Sequence, residues 1–260
     1  AIAASRLAVD TTFISKIGKD GNANFILEDF KKAGIHTQYI LTSENEETGQ
    51  AFITVDEAGQ NTILVYGGAN MTLSATDVEM SAEAFIGADF VVAQLEVPFE
   101  AIEQAFKIAR KQNITTVLNP APAIELPKSL LELTDIIIPN ETEAELLTGI
   151  SINNESDMKE TATYFLDLGI SAVLITLGEQ GTYCAYQEQY KIIPACNVKA
   201  VDTTAAGDTF IGAFLSELNK DLSNLESAIR LANQASSLTV QRKGAQVSIP
   251  TRKEVEAEYK

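Results

Sequence analysis

The chain has 260 residues, 45% hydrophobic and 21% charged, with a formal net charge of −17. A chain of that size buries roughly 70–75% of its unfolded surface, so it needs no disulfide staple. The charge argues against nucleic acid and anionic membrane as partners, no apolar run reaches membrane-span length, and no stretch reads as a signal peptide.

In chain order, Ala1–Leu7 reads as a helix with no capping residue before it. His36, the single histidine, falls in the turn-like Ala33–Thr37. One histidine excludes poly-histidine metal sites, and any Ser–His–Asp triad would have to use it. Gln38–Leu41, Gly49–Val55 and Thr62–Tyr66 read as short strands, with a hairpin turn over Asp56–Gln60. A small inserted sheet of that kind leaves an apolar face that must pack on a substrate or on another subunit.

From there strands and helices alternate. Val91–Ala93, Thr115–Leu118, Ile136–Ile138 and Val173–Thr176 are apolar runs typical of buried parallel strands. Between them lie amphipathic helices over Phe99–Gln112, Thr142–Thr148 and Glu155–Leu168. In the first of these, Ile102, Phe106 and Ala109 recur at helical spacing as core residues. The alternation predicts an α/β fold: a doubly wound, mostly parallel sheet flanked by helices, with ligands at the carboxyl ends of strands. Cys184 and Cys196 lie among strands and turns, fit no zinc spacing, and read as two reduced thiols. Two further helices follow, Asp208–Leu218 and Leu225–Gln241.

The start of the Asp208 helix carries the chemistry. Ala205, Ala206 and Gly207 leave backbone N–H groups uncovered, and those groups with the helix dipole favour an anion. Asp208 adds a carboxylate at the same place. Either it only charges a helix terminus, or it takes a proton from a hydroxyl that attacks a phosphate held by those amides. The Gly-x-x-x-x-Gly-Lys-Ser/Thr loop and the Gly-x-Gly-x-x-Gly fingerprint are both absent, so a nucleotide enzyme built here needs this other cradle. The missing fingerprint also argues against a dehydrogenase. Glu96, at the end of its strand before Pro98, reads as a carboxylate pointing into the ligand crevice or as a solvated terminus. Asn140 and Glu143 have the spacing of a capping box. Thr176 and Gly178 follow an apolar strand and permit close approach of a ligand.

Asp202-Thr-Thr-Ala-Ala-Gly-Asp208-Thr-Phe210 resembles the C-terminal signature of the ribokinase-like (PfkB) sugar kinases. Gln94–Glu96, Asn119–Ala123, Pro139–Glu145, Ile175–Gly178 and Arg242–Gln246 agree with that family in the same order. The second and last of these point to its ribose-phosphorylating branch.

The resemblance implies an ATP-dependent sugar kinase acting on ribose, with deoxyribose, fructose or a nucleoside as rival acceptors, or a non-catalytic sugar-binding regulator on the same fold. It implies Asp208 as base, with the Ala205, Ala206 and Gly207 amides as anion hole. Sugar hydroxyls fall to Glu96 and Asp208. ATP falls to Asn140, Glu143, Thr176, Gly178, Gly207 and Asn233. Mg²⁺ is held through water by Glu143, and K⁺ lies near Asp202, Thr204, Thr239, Arg242, Gly244 and Ser248. It also implies a division into an α/β body (1–37 and 67–260) and a β lid (38–66) that covers the sugar and forms a homodimer, and a cytoplasmic protein. In that family a strand and a sugar-binding Gly-Gly-Lys-Gly-Ala-Asn segment precede the point matching Ala1, so the expectation is a longer polypeptide.

Overall fold

The computed structural model describes residues 1–55 and 61–259, with side chains omitted at 53–55 and 61–63. The hairpin turn expected over Asp56–Gln60 lies outside the described residues.

The chain begins with α1 (Ile2–Arg6), β1 (Ser15–Ile17), α2 (Gly21–Lys32) and β2 (Ile40–Thr42). The hairpin strands β3 (Gln50–Val55) and β4 (Asn61–Tyr66) and the short α3 (Ala75–Met80) follow. Then come β5 (Phe90–Ala93), α4 (Phe99–Lys111), β6 (Thr115–Leu118), α5 (Lys128–Leu131), β7 (Ile136–Ile137), α6 (Glu141–Thr148), α7 (Glu155–Asp167) and β8 (Ala172–Thr176). The C-terminal part holds β9 (Thr182–Tyr186), β10 (Gln189–Ile193), α8 (Ala206–Glu217), α9 (Leu225–Val240) and α10 (Arg252–Glu258).

The main sheet runs β10-β9-β8-β7-β6-β5. The β5 to β8 pairings are parallel, and β9 and β10 extend one side antiparallel. Alternating side chains explain why both faces are covered. Val117, Ile136, Ile138, Ala172, Leu174 and Cys184 face α8 and α9 through Phe210, Phe214, Ala228 and Ile229. Ile137, Val173, Ile175, Tyr183 and Ala185 face the other way, against Ala144 of α6 and Met158, Ala162 and Phe165 of α7. This is the doubly wound, mostly parallel sheet that the alternation predicts.

Of the three short strands expected between 38 and 66, the first belongs elsewhere. β2 pairs in parallel with β1, Ser15 opposite Ile40. The small antiparallel sheet is β3 and β4, from Gln50 opposite Tyr66 to Val55 opposite Asn61. It stands on a glycine-packed base: a Cβ on Gly68 would lie 2.4 Å from the Glu47 carbonyl oxygen, and one on Gly49 2.8 Å from that of Gly67.

α1 has no side-chain cap, as expected. It lies directly on α8, where a Cβ on Gly212 would meet the Ala4 nitrogen at 2.5 Å. His36 is exposed and pairs with the Asp10 carboxylate at 2.8 Å. Cys184 and Cys196 are free thiols. Cys184 is buried in β9, and burial pushes its thiol up to about 12. No helix among the described residues is long and apolar enough to cross a membrane.

Candidate active site

The carboxyl ends of β5, β6, β7 and β8 form one rim. Where the ladder stops, a chain of hydrogen bonds continues across it. The Asn119 amide donates to Ala93 O at 3.0 Å, Ile138 N to Leu118 O at 2.9 Å, and Thr176 N to Pro139 O at 2.9 Å. The residues flagged from sequence line this rim in order.

Glu96 is exposed, in a bend beyond Ala93, where β5 ends, rather than at the strand terminus itself. The bend is pinned by Leu95 N donating to Ala121 O at 2.8 Å. Asn140 caps α6. Its Oδ1 accepts from Glu143 N at 2.8 Å, while Glu143 Oε2 accepts from Asn140 N at 2.9 Å and Oε1 from Asn140 Nδ2 at 2.8 Å. The capping box therefore exists. Glu143 is only 7% exposed, and that burial pushes its carboxyl above the usual range against the pull of the Asn140 amide. Thr176 bridges to Asn140 across the sheet. Gly178 adopts φ +54 with no atom within 4 Å of where a Cβ would sit, so the rim is open there.

The second half of the site is the start of α8. Ala205 takes the left-handed conformation, φ +63, and supplies no side-chain cap. The Ala206 amide donates to Thr203 O at 3.2 Å and Thr209 N to Ala205 O at 2.9 Å. Among the described residues no acceptor meets the amides of Gly207 and Asp208. Both residues are exposed, and nothing lies within 4 Å of a Cβ built on Gly207. A left-handed N-cap with bare amides behind it is a geometry that suits an anion, and Asp208 stands at its edge.

α9 holds that start in place. Ser236 Oγ donates to Ala206 O at 3.0 Å, and Thr239 Oγ1 to Thr209 Oγ1 at 2.9 Å. Asn233, expected among the ATP-side residues, is buried and its amide is engaged within the protein. Oδ1 accepts from Thr182 Oγ1 at 2.9 Å, and Nδ2 donates to Ile193 O at 3.0 Å and Pro194 O at 3.2 Å. Thr182 stands opposite Thr176, so Asn233 sits at the rim's end of the sheet and braces its wall.

The residues expected around a monovalent cation meet as loops. Val201 N and Asp202 N both donate to Val240 O, at 2.7 and 3.1 Å. Asp202 Oδ1 accepts from Thr204 N and Oδ2 from Gly244 N, each at 2.9 Å. Hydrogen bonds from Thr204, with those from Gly244, hold the Asp202 carboxyl down at about 2. Ser248 donates to Ala245 O at 2.6 Å, and Arg242 donates to Ser248 O at 3.5 Å and pairs with Glu254 at 2.9 Å. Among the described residues no group of three or more His, Cys, Asp or Glu side chains could hold a metal.

Sequence reasoning passed over two rim residues. Gln94 and Asn119 were noted only inside longer motifs, yet Gln94 Nε2 donates to Asn119 Oδ1 at 2.6 Å and Asn119 Nδ2 to Ile138 O at 2.7 Å. The available signal was an amide side chain directly after each of two apolar strands.

A family model described as pfkB family carbohydrate kinase matches residues 1–252. The chain is 63% identical to a ribokinase of Staphylococcus aureus, covering 98% of this chain and 84% of that one. It is 51% identical to a bifunctional ribokinase/ribose-5-phosphate isomerase A of Fructilactobacillus sanfranciscensis, covering 98% of this chain and 47% of that longer one. A solved structure of Arabidopsis thaliana ribokinase complexed with ribose and ATP superposes with a TM-score of 0.89 at 32% identity, covering 99% of this chain and 84% of that one.

Proposed function

The chain belongs to the pfkB family of carbohydrate kinases, and from that premise we propose that it transfers the γ-phosphoryl group of ATP to the 5-hydroxyl of D-ribose. The protein is a sugar kinase, a phosphotransferase. The observation that carries the reading is the start of α8, an uncapped, exposed anion cradle with a carboxylate at its edge.

In the reaction the hydroxyl oxygen forms a bond to the γ-phosphorus, the bond to the bridging oxygen breaks, and ADP leaves. Asp208 takes the hydroxyl proton. The helix-start amides, Gly207 foremost, meet the charge that develops on the transferring phosphoryl group. The Ala206 amide contributes less, since Thr203 already engages it. Glu96 accepts from ribose hydroxyls, supported by its exposure at the rim. Thr176 and Gly178 give the nucleotide its approach. Asn233 acts on the nucleotide side by fixing the Ile193–Pro194 wall, because its own amide is engaged.

The donor set fits a magnesium ion held through water. Each Glu143 oxygen accepts one hydrogen bond and keeps a lone pair for a water. Mg²⁺ supplies neutralisation of the nucleotide phosphates, which a chain of net charge −17 otherwise repels. The loops joined by Asp202 and Gly244 fit a potassium ion held largely by main-chain oxygens of Thr204, Thr239, Arg242, Gly244 and Ser248, with Asp202 as the one carboxylate. The hairpin β3–β4, with its exposed Phe52, Leu64 and Tyr66, serves as lid and as homodimer surface. The cytoplasm, where ATP is made, is the fitting compartment.

The test is ATP consumption with ribose, deoxyribose, fructose and a nucleoside side by side, with the product's phosphate position read by NMR. Ribose 5-phosphate formed at the highest kcat/KM bears the reading out. ATP consumption with none of them would return the chain to a sugar-binding regulator.

A further inference from the structure

We propose that Asn119 is a positioning residue that sets the Glu96 bend against the Asn140–Glu143 helix start, holding acceptor and nucleotide in register. The proposal rests on the kinase reading above.

Asn119 follows β6, which lies between β5 and β7. The backbone ladder ends at Ala93, Leu118 and Ile137, and Asn119 is the next residue on the middle strand. It is 9% exposed. Its side chain extends the cross-strand pairing past the ladder's end. Oδ1 accepts from Gln94 Nε2 at 2.6 Å, and Nδ2 donates to Ile138 O at 2.7 Å. Gln94 is two residues before Glu96, and Ile138 is two before Asn140. One planar amide thus joins the loop that carries the acceptor-side carboxylate to the strand that leads into the nucleotide-side helix.

The chemistry of the bridge requires this residue type. It needs one donor and one acceptor at fixed separation on a short stem, which an amide has and a carboxylate lacks. A buried amide left unpaired is costly, so both arms stay made. In-line transfer depends on the relative placement of two substrates, and an error of about 1 Å there costs on the order of a hundredfold in rate.

The experiment uses Gln94→Ala, Asn119→Asp, Asn119→Ala and the double variant Gln94→Ala/Asn119→Ala. The measurements are kcat, KM for ribose, KM for ATP and the melting temperature. Gln94→Ala cuts only the acceptor arm, so ribose KM rises by about fivefold to tenfold while ATP KM stays within about twofold. Asn119→Asp keeps the arm to Gln94 and loses the arm to Ile138, so the ATP side moves more than ribose KM. Asn119→Ala loses both, and kcat falls by roughly tenfold to a hundredfold. The double variant is no worse in ribose KM than Asn119→Ala alone, because both changes break one link.

Unchanged ribose KM in Gln94→Ala, or additive effects in the double variant, overturns the proposal. So does a common proportional change in kcat and both KM values that tracks lost melting temperature. Gln94 is exposed, so its variant carries the test even if an Asn119 variant does not fold. An unaltered protein that phosphorylates no ribose overturns the ribose reading on which the proposal rests. An active one with flat variants overturns the role of Asn119 alone.

Discussion

The chain builds two helix starts from opposite materials. At α6 the terminus is closed: Asn140 and Glu143 satisfy each other's amides, and Glu143 is buried. At α8 the terminus is open: an alanine in the left-handed conformation stands where a capping side chain is normally found, and the amides behind it face solvent. Capping residues stabilise a helix by about 1 kcal/mol, so the open start forgoes stability that the closed one keeps. The difference lies in what each start can offer a ligand: the closed one presents carboxylate oxygens with spare lone pairs, the open one presents unpaired amides.

That contrast can be broken most sharply at Asp208. Asp208→Asn is expected to lower kcat by about 10²–10⁴-fold while leaving ATP binding, measured by calorimetry, within about twofold. A variant keeping half the parent kcat would remove the base assignment. Gly207→Ala comes next. A Cβ there meets nothing within 4 Å, and alanine is the better helix former by about 0.5–1 kcal/mol. The melting temperature should therefore hold or rise while activity falls about tenfold or more, because the methyl group stands where the phosphate approaches. The closed start should behave in reverse. Asn140→Ala should cost about 1 kcal/mol of stability by urea titration.

Glu143→Gln separates the two roles of the closed start. Burial raises the carboxyl pKa, so Glu143 favours the fold below its unfolded value of 4.5 and loses that contribution as pH rises through the folded value. The glutamine variant should lack this decline and should also shift the Mg²⁺ titration of the rate several-fold. An unshifted Mg²⁺ titration would leave Glu143 a cap and nothing more.

The smallest effect concerns Asp202, whose folded pKa of about 2 lies below the unfolded value of 3.8. Its contribution is present above pH 3.8 and is lost as pH falls toward 2. Asp202→Asn should flatten the stability curve across that window in acid-unfolding scans. It should also reduce the rate difference between potassium and sodium buffers of equal ionic strength.

The sheet was legible because buried parallel strands are continuous apolar runs, and β7 and β8 carry such runs almost without interruption. β1 was not, since three residues, Ser15–Ile17, carry no period to read. The partner of β2 was hidden for a related reason: strand pairing is long-range, and sequence proximity favoured the hairpin. The open start of α8 could be read from its small residues. Asn233 was harder. Its alternative reading was a polar helix face, whereas it lies inside with Ile229, Ala232 and Ala235 on the buried face of α9. What it braces is visible only once β9 and the Ile193–Pro194 carbonyls are in place.

The β3–β4 hairpin bears on how copies of this molecule behave toward one another in solution. Among the described residues its two strands pair only with each other, and Phe52 (53% exposed) and Leu64 (69%) are open to solvent. A small sheet that exposes apolar side chains tends to pack on another surface. The net charge of −17 works the other way, since two approaching copies repel. Repulsion of that kind reaches about 30 Å at 0.01 M salt and about 8 Å at physiological ionic strength, whereas apolar contact is not screened. Self-association should therefore strengthen as salt is added, the opposite of an interface made by ion pairs. Sedimentation at several ionic strengths reads that sign directly.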